Sequence, residues 1–217
     1  MSRTKPVTAA AYVPHTRSLR VLARAASECT ACHLYERATQ TVFGEGAVPA
    51  TMMLVGEQPG DREDLEGRPF VGPAGRLLDR ALAAAKIGRD KVYVTNAVKH
   101  FKWRPVGKRR LHERPDRNEI EICKPWLHEE IALVQPRCVV ALGATAALGL
   151  LGKRVGVASS RGRAQLGIDE VPVVVTFHPS SLLRMTERED QDARFAELVE
   201  DLRLATQVAR GAVELAS

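Results

Sequence analysis

Four groups of residues in this sequence could carry chemistry. The first is the stretch GEQPGDREDLEGRPFVGPAGRLLD, Gly56–Asp79, with five glycines, three prolines and a cluster of acids, directly after the apolar run Thr51–Gly56 (TMMLVG). Glycine lets backbone approach a ligand closely. Glu57, at the end of the apolar run, offers a carboxylate that could act on a reacting centre. Phe70, between Pro69 and Val71, is an aromatic in a loop, able to stack on a flat ligand. A long loop of this composition is more often functional than a simple cap on a sheet. The second group is HPSSLLR, His178–Arg184. Its histidine can donate to a developing anion, and the Ser180–Ser181 turn can hold a phosphate. Leu182 and Leu183 could wedge into a base stack, with Arg184 filling the gap. The same residues are equally consistent with the start of a helix whose leucines enter the core.

The third group is the four cysteines. Cys29 and Cys32 form C-T-A-C, whereas Cys123 and Cys138 lie far downstream. A lone CxxC without a thioredoxin-like context points to metal more than to redox exchange. Four cysteines could hold zinc or an iron–sulfur cluster. Cys138 opens an apolar strand and could be core instead, which makes His100 a competing fourth ligand. The fourth group is a basic segment. Lys99–Arg117 contains eight basic and two acidic residues, while the 24 basic and 24 acidic residues elsewhere cancel. The net charge of +6 therefore sits in nineteen residues. Lys108, Arg109 and Arg110 would grip phosphates. His112, beside them, reads on chemistry alone as polar surface.

The elements that must position these groups follow from the hydrophobic pattern. The chain has 217 residues, 45% hydrophobic and 27% charged, the balance of a soluble globular protein. Its longest uncharged run, Cys138–Gly152, is fifteen residues, too short and too glycine-rich to span a membrane. Arg3 and Lys5 precede an apolar stretch that Pro14 interrupts, which does not make a signal peptide. A cytoplasmic protein without disulfides or membrane contact is expected. Thr51–Gly56, Lys91–Val98, Cys138–Gly143 and Val171–Phe177 read as strands. Leu19–Glu28, Ala74–Lys86, Ala144–Leu151 and about Glu189–Val208 read as helices. Asp116 and Glu119 make a capping box that opens a further helix to about Val134. Apolar strands separated by helices predict an α/β fold, three-layer α/β/α, with a central, mainly parallel four-stranded sheet. A single domain over 1–217 is expected, with a core over about 19–208 and the basic loop inserted at about 104–117. Ligands in such folds bind beyond the carboxyl ends of the strands. There Glu57–Gly75, Asn96, Lys99–Asp116 and His178–Arg184 would converge.

Together these motifs resemble the uracil-DNA glycosylase superfamily, in its iron–sulfur branch. GEQPG at Gly56 is similar to motif A, where family 4 enzymes usually carry GEAPG. RPFVGPAGRLLD matches the run that follows it, TNAVKH resembles a segment that usually reads N-V-x-K-C, and HPSSLLR resembles motif B. The resemblance covers about Cys29–Arg203. Two departures stand out: His100 replaces the family 4 cysteine after the second strand, and GKRRLHERPDR is inserted. With Gln58 in motif A, both resemble the UdgX subgroup, whose KRRIH loop supplies a histidine that bonds covalently to DNA. Here that loop reads KRRLH, and the histidine is His112.

The resemblance implies excision of uracil from DNA, with single strands preferred, by a monomer. Phe70 would stack on the flipped base, with Gly56 and Gln58 also against it. Asn96 would read its edge, donating to O4 and accepting from N3–H. His178 would donate to O2 as uracil leaves. Glu57 would favour the cationic sugar, and Glu57 or Gln58 would align His112, which would bond to C1′ and crosslink the protein to the abasic site. Lys108, Arg109, Arg110, Ser180, Ser181 and Arg184 would contact DNA. A [4Fe–4S] cluster would be held by Cys29, Cys32, His100 and Cys123, with Cys138 the alternative to His100. Two other outcomes stand beside this one: an ordinary turnover glycosylase, and a non-catalytic module that binds uracil or abasic DNA.

Overall fold

Short apolar runs bounded by polar turns form the strands, and the longer amphipathic segments between them form the helices. A computed structural model describes residues 8–213, so Arg3 and Lys5 lie outside the described residues. The chain runs α1 (Leu19–Ala26), β1 (Glu45–Gly46), β2 (Met52–Gly56), α2 (Asp61–Glu66), α3 (Pro73–Ala84), β3 (Val92–Asn96), β4 (Trp103–Val106) and β5 (Arg109–His112). It continues through α4 (Arg117–Val134), β6 (Cys138–Leu142), α5 (Ala144–Leu151), α6 (Val157–Ser160), β7 (Ala164–Leu166), β8 (Pro172–Thr176), α7 (Pro179–Leu182) and α8 (Arg188–Ala209). No helix among the described residues is long and apolar enough to cross a membrane.

The main sheet has the order β1-β3-β2-β6-β8-β7. Its four central strands are parallel, as their uninterrupted apolar character predicts. Alternate residues serve opposite faces. Leu54, Val94, Val140 and Val174 face α3 and α8, while Val55, Tyr93, Val139 and Val173 face the α4–α5 side. Helices thus cover both faces of the sheet. Two short antiparallel strands flank the predicted four, so the sheet has six strands. β1 has two residues and β7 three, too few for a hydrophobic period to register.

The basic segment is not an open loop. β4 and β5 pair antiparallel, with Trp103 opposite His112 and Val106 opposite Arg109. Gly107, at φ +58, takes the first position of the two-residue turn, where a type II′ hairpin needs glycine. The predicted capping box is present: Asp116 Oδ1 accepts from the Glu119 N–H at 2.9 Å, and Glu119 Oε2 accepts from the Asp116 N–H at 2.6 Å. A third apolar cluster joins α1 and the turn after it to α4 through Leu22, Ala26, Cys29, Cys32, Cys123 and Trp126.

Candidate active site

The four parallel strands end on the same side, and each delivers a chemical group there. Gly56 pairs with Asn96 at the ends of β2 and β3. Glu57 follows β2, Gly143 follows β6, and His178 stands two residues after β8. With Phe70, His112, Arg114, Phe177, Ser180, Ser181 and Arg184 they line a cleft of about 850 Å³. A Cβ at Gly56 would stand 2.3 Å from Asn96 Oδ1 and 2.7 Å from Phe70 Cζ. Glycine there is what lets the aromatic ring and the amide meet over backbone. Phe70 holds a positive φ of 58°, a strained conformation for a bulky residue that recurs at functional sites. Its ring stacks toward His178 with centroids 6.2 Å apart. Beneath Asn96, the buried Lys99 Nζ donates to the Asn96 carbonyl at 2.7 Å and pairs with Glu130 at 2.5 Å. Tyr93 and Thr95 also donate to Glu130, so this buried ion pair is fully hydrogen-bonded.

The tautomer of His178 follows from its neighbours. The Ser180 backbone N–H donates to Nδ1 at 3.1 Å. Nδ1 is therefore the bare nitrogen, and the ring proton sits on Nε2. Burial lowers the His178 pKa to about 4, and the nearby Arg184 and His112 push it the same way. At neutral pH this histidine is an uncharged hydrogen-bond donor. The unfolded chain takes up that proton near 6.5. Between 6.5 and 4 the unfolded state thus binds more protons, and stability falls as pH falls through that window. Urea midpoints at pH 7 and pH 5 should record this drop, and His178→Asn should shrink it.

His112 projects from the last position of β5. Its Nε2 stands 3.4 Å from Glu57 Oε1, and its ring packs near Phe101 with centroids 6.0 Å apart. Burial lowers its pKa, and Arg184 and Arg114 add to that, against the opposing charge of Glu57. The other Glu57 oxygen, Oε2, accepts from the Thr145 hydroxyl and lies 3.4 Å from Arg114 Nε.

The remaining predicted residues divide. Gln58 lines the cleft, but its amide is committed to the hairpin: Nε2 donates to the Lys102 and Glu113 carbonyls, and Oε1 accepts from the Lys102 N–H. It clamps both ends of the hairpin in place of touching a base or aligning His112, as expected of it from sequence. Lys108 and Arg109 are exposed at the hairpin turn. Arg110, expected to grip phosphate, instead pairs with Asp61 at 2.6 Å and with the buried Asp64 at 2.5 Å. Its guanidinium also lies over the Phe101 and Trp103 rings. Arg110→Ala leaves Asp64 buried and unpaired, so it should cost about 3 kcal/mol in urea unfolding. Lysine should rescue it poorly, since it cannot reproduce the planar fork. Of the two leucines, Leu182 is fully buried in the core and Leu183 is exposed, so only Leu183 is placed to meet DNA. Ser180 and Ser181 spend their hydroxyls on His178 while still lining the cleft. Thr145, Arg114 and the Asp61–Asp64 pair were not singled out by the sequence. Only the cluster of acids within Gly56–Asp79 gave any signal.

Cys29, Cys32 and Cys123 are buried together in the third apolar cluster. The Trp126 indole N–H donates to Cys29 Sγ at 3.4 Å and the Lys99 backbone N–H to Cys123 Sγ at 3.3 Å. Burial pushes the Cys123 thiol up to about 12. Cys138 points into the core between the sheet and α8, away from the other three. His100 is buried, and its Nε2 lies 2.8 Å from Thr41 Oγ1. That hydroxyl donates its one proton to the Ala26 carbonyl, so His100 Nε2 carries a proton and Nδ1 is bare. Burial lowers the His100 pKa to about 4, which keeps the ring neutral, as ligation requires. Among the described residues, no three histidine, cysteine or acidic side chains converge on one metal ion.

Residues 43–203 match the family model described as the uracil DNA glycosylase superfamily. A type-4 uracil-DNA glycosylase of Thermotoga maritima is 38% identical over 172 residues, which cover 79% of this chain and 86% of that protein. The type-4 uracil-DNA glycosylase of Pyrobaculum aerophilum is 38% identical over 163 residues, covering 72% and 80%. A type-5 uracil-DNA glycosylase of the same organism is 32% identical over 158 residues, covering 63% and 64%.

Proposed function

Because the chain belongs to the uracil-DNA glycosylase superfamily, we propose that it excises uracil from DNA and is then crosslinked through His112 to C1′ of the abasic site. The observation that carries this is His112 Nε2 at 3.4 Å from Glu57 Oε1, in the cleft that also holds Asn96 and His178. The nucleotide leaves the stack at a cost of a few kcal/mol. Lys108, Arg109 and Arg184 offset that cost by holding phosphates, and Leu183 fills the gap. Single strands, acted on by a monomer, carry the smaller flipping cost. Uracil slides against Phe70, and Asn96 reads its edge. Cytosine presents the reverse donor pattern and leaves buried polar groups unpaired.

The bond between C1′ and N1 breaks, and its electron pair leaves with uracil. The His178 Nε2–H donates to O2 of the departing anion. Glu57 stabilises the cationic sugar. The His112 Nε2 proton passes to Glu57 Oε1 as that nitrogen bonds to C1′. Uracil then takes a proton from solvent, and Glu57 returns its own. The names of the relatives fit a turnover enzyme that delivers water equally well. His112 favours the covalent outcome because its Nε2 already stands 3.4 Å from Glu57 Oε1.

The cysteine donor set fits a [4Fe–4S] cluster held by Cys29, Cys32, Cys123 and His100. Three thiols lie in one dry cluster, two of them receive N–H bonds, and His100 offers a bare Nδ1. Bound by these residues, such a cluster would tie the turn after α1 to α4. Equimolar protein and uracil-containing single-stranded oligonucleotide, run on a denaturing gel, test the whole reading. A heat-stable shifted band supports it, and alkali-cleavable DNA without a band refutes the crosslink.

A further inference from the structure

The two oxygens of Glu57 are held differently, and the residue that makes the difference is Thr145. Oε1 faces His112, whereas Oε2 accepts from the Thr145 hydroxyl and lies 3.4 Å from Arg114 Nε. Arg114 has a side chain 73% exposed, so solvent screens its pull. Thr145 is buried. A threonine in a helix commonly returns its hydroxyl to the carbonyl four residues back. Thr145 sits in the first turn of α5, where no such carbonyl is helical, and it points its hydroxyl into the cleft instead. The position of that turn is fixed by Gly143, whose N–H donates to the Thr176 carbonyl at 2.8 Å. Gly143 has φ +90, and a Cβ there would stand 3.1 Å from His178 Cβ. Glycine thus lets α5 start directly beside His178, which brings Thr145 to Glu57.

We propose that Thr145 is a positioning residue that selects the nucleophile: by holding Oε2 it keeps Oε1 turned to His112 and away from water. This rests on the covalent reading above. With the hydroxyl present, the carboxylate cannot rotate about its last bond without losing a buried hydrogen bond, and Oε1 remains the acceptor for the His112 Nε2 proton. Without it the carboxylate turns, and a water hydrogen-bonded to Glu57 competes for C1′. That water's proton goes to Glu57 and its oxygen becomes the sugar hydroxyl, giving a free abasic site.

The test compares wild type, Thr145→Val and Thr145→Ser, each at equimolar ratio with a uracil-containing single-stranded oligonucleotide. Two products are read from one gel: the crosslinked band and free DNA cleaved by alkali. Valine keeps the shape and removes the donor, and serine keeps the donor. Thr145→Val is expected to raise the ratio of free abasic to crosslinked product about tenfold, the effect of one hydrogen bond to a charged group. Thr145→Ser should return it to the wild-type value. A wild-type ratio in Thr145→Val overturns the proposal. So does equal impairment in the serine variant, which would assign the effect to the methyl group's packing. A wild-type lane that gives only free abasic DNA refutes the covalent reading itself, a distinct outcome visible before any variant is compared.

Discussion

The His112→Ala protein is expected to give no shifted band with uracil-containing DNA, yet to keep releasing uracil. In the proposed mechanism His112 is the nucleophile and not the group that expels the base. Its imidazole reaches the cleft from the hairpin, whereas Asn96, Glu57 and His178 come from the sheet ends. Removing it leaves base recognition and leaving-group stabilisation in place. It also frees Glu57 Oε1, which can then orient a water. Product should leave as an alkali-labile abasic site, and one protein should process more than one oligonucleotide. The loss of crosslink should be complete, because among the described residues no other imidazole pairs with Glu57. The measurement is a time course of both products at protein-to-DNA ratios above and below one. A crosslinked band that survives in His112→Ala would place the bond on another residue.

Loss of His178 should have the opposite pattern. His178→Ala removes the donor proposed for O2 of the leaving uracil, a loss of about 100-fold to 1,000-fold for a group of this type. Uracil release and crosslinking should fall together, since both wait on the same bond cleavage. The wild-type rate also has a predicted pH shape. His178, with a pKa near 4, stays a neutral donor across the range from 5 to 8. His112 has a pKa held below its ordinary value by burial, so it too is uncharged at neutrality. Crosslinking should be level around pH 7 and decline only in acid, as His112 takes up a second ring proton and, as a cation, is repelled by the cationic sugar. A rate that rises as pH falls from 7 to 5 would mean that His178 acts as a charged acid.

What the sequence made legible was set by how local the cause was. β2, β3, β6 and β8 are apolar over most of their length because they are buried on both faces, and that pattern needs no partner to be read. The Asp116–Glu119 capping box is three residues wide and equally local. The hairpin was hidden because most of Trp103–His112 is exposed on both faces, so no alternation marks it. Arg110 looked like a phosphate ligand because its partners, Asp61 and Asp64, lie 49 and 46 residues away. Gln58 looked catalytic beside Glu57, yet adjacent residues at a strand end point to different sides. Both line the cleft, but Gln58 spends its amide on Lys102 and Glu113. Leu182 and Leu183 are indistinguishable by type, and only the turn of α7 decides that the first is core and the second exposed. His112 owes its place in the prediction to family resemblance alone, since nothing in GKRRLH announces Glu57 as its neighbour.

The most direct measurement is mass spectrometry of the crosslinked protein after protease and nuclease digestion. A single adduct is predicted, a deoxyribose-phosphate fragment bonded to the His112 imidazole, on the peptide that contains the hairpin. An adduct on Lys108 or any other side chain, or an unmodified His112 peptide recovered quantitatively alongside free abasic DNA, would contradict it.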